Sequence, residues 1–294
     1  MKQKRQAGLI DLITLDSLDE IREMAQNAVI DRRLDTFRPL VNGILLHHLL
    51  GILSFRGRRF PTMSAKSAPG RAAEQDQLWE TLNARSGALR EGPIELEALA
   101  RWIRGIGNEK ELGRLVQQAV GSQFDASYRA TEETWKAALT LEAALQTKNP
   151  WKLLAWGITG KIRNAKRVLA SKVGEDLAAV HGTGVALHNI VRALERMENL
   201  YANVALRSSL PSEEVIRRCL SAPASVMRQA TSAGKLGGCP FRKGTLFVVA
   251  LAEAQKASGA DELVFMKDTW SRCPAEQWVP SLLTGIWKRA TAIS

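Results

Sequence analysis

Cysteine is scarce in this sequence, and its few copies are widely separated. Cys219, Cys239 and Cys273 are the three cysteines in 294 residues. An odd number at such spacings builds neither a disulfide framework nor a CxxC-type zinc site, so we expect a reducing, cytoplasmic location. Histidines offer no alternative metal site, because His181 and His188 share a helix face but stand about 10 Å apart along its axis.

Long apolar runs and targeting segments are also absent. The longest apolar stretch, residues 39–55, contains two histidines and is too short for a membrane span, so we expect a buried helix there and no transmembrane segment. The first residues, MKQKR, lead into a mixed sequence and not an apolar signal core. Without repeats or a long linker, residues 1–294 are expected to form a single domain.

Acidic residues are outnumbered. There are 30 of them against 41 lysines and arginines, a formal charge of +11, which favours an acidic partner such as nucleic acid, anionic lipid or a redox protein. Residues 56–71 carry five basic side chains and no acid, and their glycines and prolines predict an exposed loop. A second basic group could bind phosphate or simply be a solvated helix face: Lys161, Arg163, Lys166, Arg167 and Lys172. No helix-turn-helix, zinc-finger or aromatic RNA-binding motif accompanies the charge, which disfavours nucleic acid.

Helix-forming residues dominate what is present. Apolar residues at three- and four-residue steps predict helices over most of residues 74–121, over 131–148, 151–173, 175–201 and 212–220, and a terminal helix over 275–290. The β-branched run that begins at Gly244 predicts a strand. The fold class is therefore mainly α with a small β element.

Three segments near the C-terminus carry candidate chemistry. Glu214 precedes Arg217 by three residues on a predicted helix, which lets the side chains pair, although such pairs are common on solvated surfaces. The run GGCPFRKGTLFVVAL follows, and then SRCPA stands before the terminal helix. In this order, residues 177–287 resemble the C-terminal half of bacterial cytochromes P-450. The resemblance implies a cytochrome P-450-like helical fold, truncated because the chain is about a quarter shorter than is usual.

The resemblance also implies a haem b site. Position by position, Glu214 and Arg217 match the family's structural ion pair, Arg228 its propionate-binding arginine and Cys273 its thiolate iron ligand. A thiolate needs nearby donors, which the start of the following helix at Pro274 is expected to provide. Without the surrounding order, Cys273 would be interpreted as a buried, inert thiol.

The helix that crosses the distal face of haem in this family corresponds to the segment after Leu177. Gly182 and Thr183 would then lie near the sixth coordination position and leave room for a small ligand, or the glycine would serve close helix packing. Gly184 and Val185 occupy the places of the family's proton-relaying acid and alcohol, so a peroxide-driven reaction is as consistent with the sequence as O2 activation.

The cysteine loop departs from the family pattern as well. Thr269 and Ala275 stand at glycine positions, and Ser271 stands where a propionate-binding base is expected. Trp270 or Arg272 could replace that base.

Together these features predict a haem-thiolate oxidoreductase, a monooxygenase or peroxygenase acting on a small hydrophobic substrate, with an acidic ferredoxin-like protein as a candidate redox partner. Two alternatives stay open. The chain could be a haem-free, degenerate relative with a binding role, or a basic helical nucleic-acid-binding protein.

Overall fold

The computed structural model describes residues 1–34, 39–84, 94–147 and 149–292. Within these ranges the helices are α1 (Leu18–Gln26), α2 (Leu40–Ile52), α3 (Arg71–Ala84), α4 (Ile94–Ile103), α5 (Leu112–Gly121), α6 (Glu132–Gln146), α7 (Pro150–Ile158), α8 (Lys161–Val173), α9 (Leu177–His181), α10 (Leu187–Ala202), α11 (Val204–Ser209), α12 (Ser212–Cys219), α13 (Leu251–Ser258), α14 (Glu262–Phe265) and α15 (Trp278–Thr291). The strands are β1 (Lys2–Gln6), β2 (Ile10–Leu15), β3 (Ile30–Asp31), β4 (Ser54–Phe55), β5 (Arg58–Arg59), β6 (Val226–Ala230), β7 (Gly234–Leu236), β8 (Cys239–Phe241) and β9 (Leu246–Val249). The chain is thus mainly α with small sheets, as predicted.

The chain divides into two compact units. The first comprises Met1–Glu74 and Ser221–Cys273, and the second comprises Gln75–Leu220 and Pro274–Ser294. That the whole chain acts as one domain stays a prediction.

A five-stranded sheet forms the centre of the first unit. Its strand order is β1-β2-β9-β6-β3, with β2 and β9 parallel and the other neighbours antiparallel. Apolar side chains from β2 and β9, including Ile13, Leu15 and Phe247, are fully buried and pack with Ile21 and Met24 of α1. Burial of alternate strand residues against a helix is what holds such a sheet in register. The strand predicted after Gly244 is confirmed as β9, but the N-terminal hairpin β1-β2 was missed.

Helix α2 is tied to this sheet by a buried amide. Asn42 Nδ2 donates to the carbonyl oxygens of Asp11, at 2.8 Å, and of Gly244, at 3.2 Å. Because a buried amide is costly unless it is paired, these contacts fix where α2 lies. Part of the helix is nevertheless open, since Leu40 and Ile44 are exposed, so the prediction of a buried helix was only partly right. Among the described residues, no helix is long and apolar enough to cross a membrane.

Close helix packing shapes the second unit. A Cβ atom on Gly113 of α5 would lie 2.1 Å from Cζ2 of Trp135, and one on Gly121 would lie 2.1 Å from Cδ1 of Tyr128. These glycines let α5 approach the aromatic rings, as residues with side chains could not. Trp135 lies in the first turn of α6, which begins with a capping box between Thr131 and Thr134.

The helix after Leu177 is interrupted. Residues 182–186 form a π-helical segment between α9 and α10. Gln117, which is fully buried, donates from Nε2 to the carbonyl oxygens of Thr183, at 2.9 Å, and of Thr134, at 3.0 Å. A π segment leaves some carbonyl groups without their usual helical donors, and the Gln117 amide supplies one. Sequence periodicity predicted a long helix here and missed the interruption.

Two predicted helices have different bounds. The helix predicted over residues 151–173 is two helices, since the chain turns at Gly160, which has a φ of +62°. The terminal helix begins at Trp278 and not at residue 275, which leaves Pro280 in its first turn, where a missing N–H does not disrupt the helix. The exposed loop predicted over residues 56–71 is partly wrong, because Phe60 and Met63 are buried.

Replacing Gly113 by alanine should destabilise the protein by about 1–3 kcal/mol, because the new methyl group would overlap the Trp135 ring. The matched control is Gly157→Ala, an exposed helical glycine whose Cβ would meet nothing within 4 Å. It should be neutral or stabilising by up to about 1 kcal/mol. Urea unfolding of both variants measures the difference, and equal free energies of unfolding would contradict the packing described for α5.

Candidate functional site

A buried group of arginines in the first unit is set up by strand register. Strands β3 and β6 pair antiparallel, with Asp31 opposite Gln229. Continuing this register by one residue places Arg32 beside Arg228. The side chains of both are buried, with residue exposures of 8% and 4%. Two guanidinium groups from distant parts of the sequence are therefore adjacent in the core of this unit.

The loop that follows α14 collects these arginines. Ser271 Oγ accepts hydrogen bonds from Nη2 of Arg32 and from Nη2 of Arg228. Arg71, at the start of α3, donates from Nη2 to the carbonyl oxygen of Trp270 at 2.8 Å. The three guanidinium carbons lie 4.8–5.5 Å from the centroid of the Trp270 ring, within range of cation–π attraction. We call Arg32, Arg71, Arg228, Trp270 and Ser271 the arginine cluster.

The arginine cluster carries more positive than negative charge. Among the described residues, the carboxylate that acts on all three guanidiniums is Asp31. Its Oδ1 accepts from the backbone N–H groups of Arg32 and Lys66, each at 2.6 Å. Three guanidiniums for one carboxylate leave an excess of two positive charges in a buried place, which is unfavourable without a further anion.

Burial and the excess of positive charge also lower the pKa values of Arg228 and Arg32. The pKa of Arg228 is lowered to about 10, first by burial and then by the like charge of Arg71, while Asp31 acts in the opposite direction. Burial also lowers the pKa of Arg32, followed by the charges of Arg228 and Arg71, whereas Cys273 and Asp31 oppose this. A bound anion would relieve both causes, because it would neutralise the charges and satisfy the desolvated donors.

Several donors in the arginine cluster are buried without a partner among the described residues. They are Nε of Arg32, Nε of Arg71, Nε of Arg228 and the indole Nε1 of Trp270. Buried donors without acceptors are rare in proteins, and a ligand that accepts hydrogen bonds would satisfy these four. A ligand with two carboxylates matches both the number of donors and the excess charge, so the cluster fits the two propionates of the haem that the sequence resemblance implies.

Cys273 closes the loop that carries the cluster. Its N–H donates to the carbonyl oxygen of Phe265 at 2.7 Å, and its sulfur is close enough to act electrostatically on Arg32. The backbone is strained between these residues, since Met266 and Asp268 adopt positive φ values of 52° and 56°. Left-handed backbone at residues other than glycine is uncommon and often found at functional sites. The half-buried thiol is therefore displayed at the end of a tightly turned loop.

The surroundings expected for Cys273 differ in one respect. No helix begins at Pro274, because the chain continues in turns up to Gln277 before α15. The helix start expected at Pro274 is therefore wrong by four residues. Within the first unit, Arg32 lies close enough to interact electrostatically with Cys273.

Glu214 and Arg217 form the predicted pair on α12. Nε and Nη2 of Arg217 donate to the two carboxylate oxygens of Glu214, each at 2.7 Å, and Arg218 adds a third contact. Hydrogen bonds from Arg217 and Arg218 lower the pKa of Glu214 to about 2. The Arg217 side chain is 51% exposed, so this is a partly solvated pair, whose contribution to stability is small.

The candidate distal residues are tightly packed in the second unit. A Cβ on Gly182 would lie 3.0 Å from the Phe124 ring, and one on Gly184 would lie 2.6 Å from Leu169. Thr183 is fully buried, and its hydroxyl donates to the carbonyl oxygen of Ala179 at 2.7 Å. Close packing therefore accounts for both glycines. The acid missing at position 184 could not be accommodated there without displacing Leu169.

The structure brings together some of the predicted site residues and adds others. Arg228 and Trp270 meet in the arginine cluster, and Trp270 lies three residues before Cys273. The backbone N–H of Arg272 donates to Thr269 at 3.1 Å, and its proposed role stays a prediction. Sequence reasoning missed Arg32 and Arg71. The basic run at residues 56–71 was a signal for Arg71, but Arg32 depended on a strand pairing between residues about 200 positions apart.

Comparison with known proteins supports the fold. No family model matches the sequence, and no curated protein matches it. Ligand-free CYP164A2 from Mycobacterium smegmatis has a TM-score of 0.65 at 15% identity, over 96% of this chain and 83% of that one. CYP154C4 from a Streptomyces species has a TM-score of 0.62 at 15% identity, over 97% and 82%.

A six-coordinated cytochrome P-450 from Thermus thermophilus is similar over 96% of this chain and 84% of its own, with a TM-score of 0.61 and 12% identity. Among the described residues no group of three or more His, Cys, Asp or Glu side chains could hold a metal ion. The structural likeness extends through almost the whole chain, well beyond residues 177–287, where the sequence resemblance lies. The chain therefore has the cytochrome P-450 fold in a shortened form.

Proposed function

We propose that this protein is a haem-thiolate oxidoreductase of the monooxygenase or peroxygenase type, acting on a small hydrophobic substrate. The observation that carries the proposal is the arginine cluster, a buried excess of positive charge with unpartnered donors, a few residues before a half-buried cysteine. Haem b would supply the redox chemistry when bound. The fold supports the proposal, because the structures that this chain resembles include a cytochrome P-450.

In the proposed site each residue has a limited role. Arg32, Arg71 and Arg228 would hold the propionates by charge-assisted hydrogen bonds, and the Trp270 indole would donate a further one. Ser271 already accepts from two guanidiniums, so its own proton is left for an acceptor. Cys273 would hold the haem iron through its sulfur, and the positive charge at Arg32 would favour its thiolate form.

The residues proposed for the distal side of haem are poorly suited to supply protons. Thr183 uses its hydroxyl within its own helix, and Gly184 carries no titratable group. We infer that a substrate group or the oxidant itself brings the proton, which favours a peroxide-driven reaction over dioxygen activation. Where the protein uses dioxygen, its electron donor would be an acidic, ferredoxin-like protein, since the net charge is +11.

Cys273→Ala should abolish the thiolate-type Soret band in the spectrum of the reduced, CO-bound protein. Haem should still bind, because the arginine cluster is intact in this variant. The matched control is Cys239→Ala, another partly buried cysteine of the first unit, which should keep the band. If the band is missing in the unmodified protein after haem is added, or survives in Cys273→Ala, the assignment of the ligand is wrong.

Arg32→Met should change haem affinity and stability in different directions. Without haem, removing Arg32, one of two buried cations crowded beside the partly buried Arg71, should leave the free energy of unfolding equal or higher. Haem binding should weaken about 10- to 100-fold, the effect of losing one charge-assisted hydrogen bond. The control is Arg33→Met, an exposed neighbour, which should alter neither quantity. Unchanged haem affinity in Arg32→Met would contradict a propionate-binding role, and so would a heavily destabilised haem-free protein.

A further inference from the structure

Lys66 adds a fourth cation to the arginine cluster. Its ammonium group lies 5.8 Å from the centroid of the Trp270 ring, and the three guanidinium carbons of the cluster lie 4.8–5.5 Å from the same centroid. Attraction to one uncharged ring does not cancel the repulsion among four like charges. A small anion that carries more than one charge would neutralise several of these cations at once.

The four cations differ in depth, and the shallowest of them open the cluster to solvent. Lys66 is exposed, and Arg71 and Trp270 are half-buried. Arg32 and Arg228 are buried. Positive charge that extends from the surface into the interior attracts anions and raises their local concentration. A small anion can therefore approach from the side of Lys66.

The buried donors of the cluster meet in one small region. Nη2 of Arg32 and Nη2 of Arg228 both donate to Oγ of Ser271, so the two guanidiniums approach a single oxygen atom. Among the described residues, Nε of each arginine and the indole Nε1 of Trp270 are buried without an acceptor. A phosphate group has strong acceptor oxygens that point in different directions, and it binds guanidinium groups in pairs of hydrogen bonds.

The carboxylate of Asp31 compensates only part of this charge. Its Oδ1 accepts from the backbone N–H groups of Arg32 and Lys66, each at 2.6 Å. That oxygen is therefore engaged with the main chain. One carboxylate also leaves two of the three guanidinium charges of the cluster unbalanced.

We propose that the haem-free protein binds one inorganic phosphate dianion in the arginine cluster, and that phosphate and haem compete for this place. The dianion carries the two negative charges that the guanidiniums and Asp31 leave unbalanced. It would accept, with a single small group, from donors that the proposed haem site offers to the propionates. The competition rests on the proposed function, whereas phosphate binding by the haem-free protein does not.

Calorimetric titration of the purified, haem-free chain with sodium phosphate tests the binding directly. One phosphate should bind per chain at constant ionic strength. Sulfate, a dianion of the same shape, should compete with it, and chloride should not. Bound phosphate should also raise the temperature of thermal unfolding, because a ligand that binds only the folded state stabilises it. No binding of phosphate would overturn the proposal.

Phenyl phosphate distinguishes the free anion from a phosphate group on a larger molecule. It should bind at least tenfold more weakly than inorganic phosphate, because Arg32 and Arg228 are buried and leave little room for the ring. Binding as tight as that of inorganic phosphate would overturn the assignment to the free anion.

Arg32→Met should weaken phosphate binding about 10- to 100-fold, because one charge-assisted hydrogen bond is lost. Lys66→Gln removes an exposed charge, so its folding is not at risk, and should weaken binding about two- to fivefold. Two control variants remove exposed cations outside the cluster, Arg33→Met and Arg56→Gln combined with Arg58→Gln. Both should bind phosphate as the unmodified protein does. Equal losses in the controls would indicate adsorption to general positive charge and would overturn the proposal.

Haem titrations at increasing phosphate concentration test the competition. The apparent Kd for haem should rise in proportion to phosphate once phosphate exceeds its own Kd, and should stay constant in chloride of equal ionic strength. A haem affinity that does not depend on phosphate would overturn the competition. A protein that binds phosphate but no haem would support the phosphate site and contradict the proposed function, so the two failures are distinguishable.

Discussion

Repulsion among three closely spaced guanidinium groups, two of them buried, is the constraint that the rest of the first unit must balance. Arg32, Arg71 and Arg228 are held against the Trp270 ring and Ser271, with Asp31 as their shared carboxylate. A fold tolerates such a cluster when the strands on either side are fixed by other contacts, as they are here by the fully buried core of β2 and β9. The arrangement concentrates positive charge, which is unfavourable, and an anionic ligand bound there would neutralise it. The cluster itself depends on strand register, because the pairing of β3 with β6 sets Arg32 beside Arg228.

The second unit differs from the first, because its interior is filled by closely packed side chains. Gly113, Gly121 and Gly184 have no room for a side chain, and the π-helical segment at residues 182–186 is held by the buried amide of Gln117. In such a helix the absence of a proton-relaying acid follows from packing against Leu169. The difference from the family pattern at position 184 therefore has a packing reason.

Local patterns in the sequence predicted much of the fold and part of the site. Helical periodicity found most helices, and the β-branched run after Gly244 found β9, because both signals are contained in a short window. Arg228 and Trp270 were found because they lie in segments that resemble cytochromes P-450. Arg32 was missed because its position depends on the pairing of β3 with β6, a contact between distant residues. At position 271, where the resemblance led us to expect a base, the serine accepts a hydrogen bond from Arg32.

The proposed binding of both haem carboxylates by the arginine cluster is tested most directly by titrating the haem-free protein with iron protoporphyrin IX and with its dimethyl ester, in which both propionates are uncharged. The account predicts a Kd for the ester at least about 100-fold higher, because charge-assisted hydrogen bonds to both carboxylates are lost. Equal dissociation constants for the two porphyrins would contradict it.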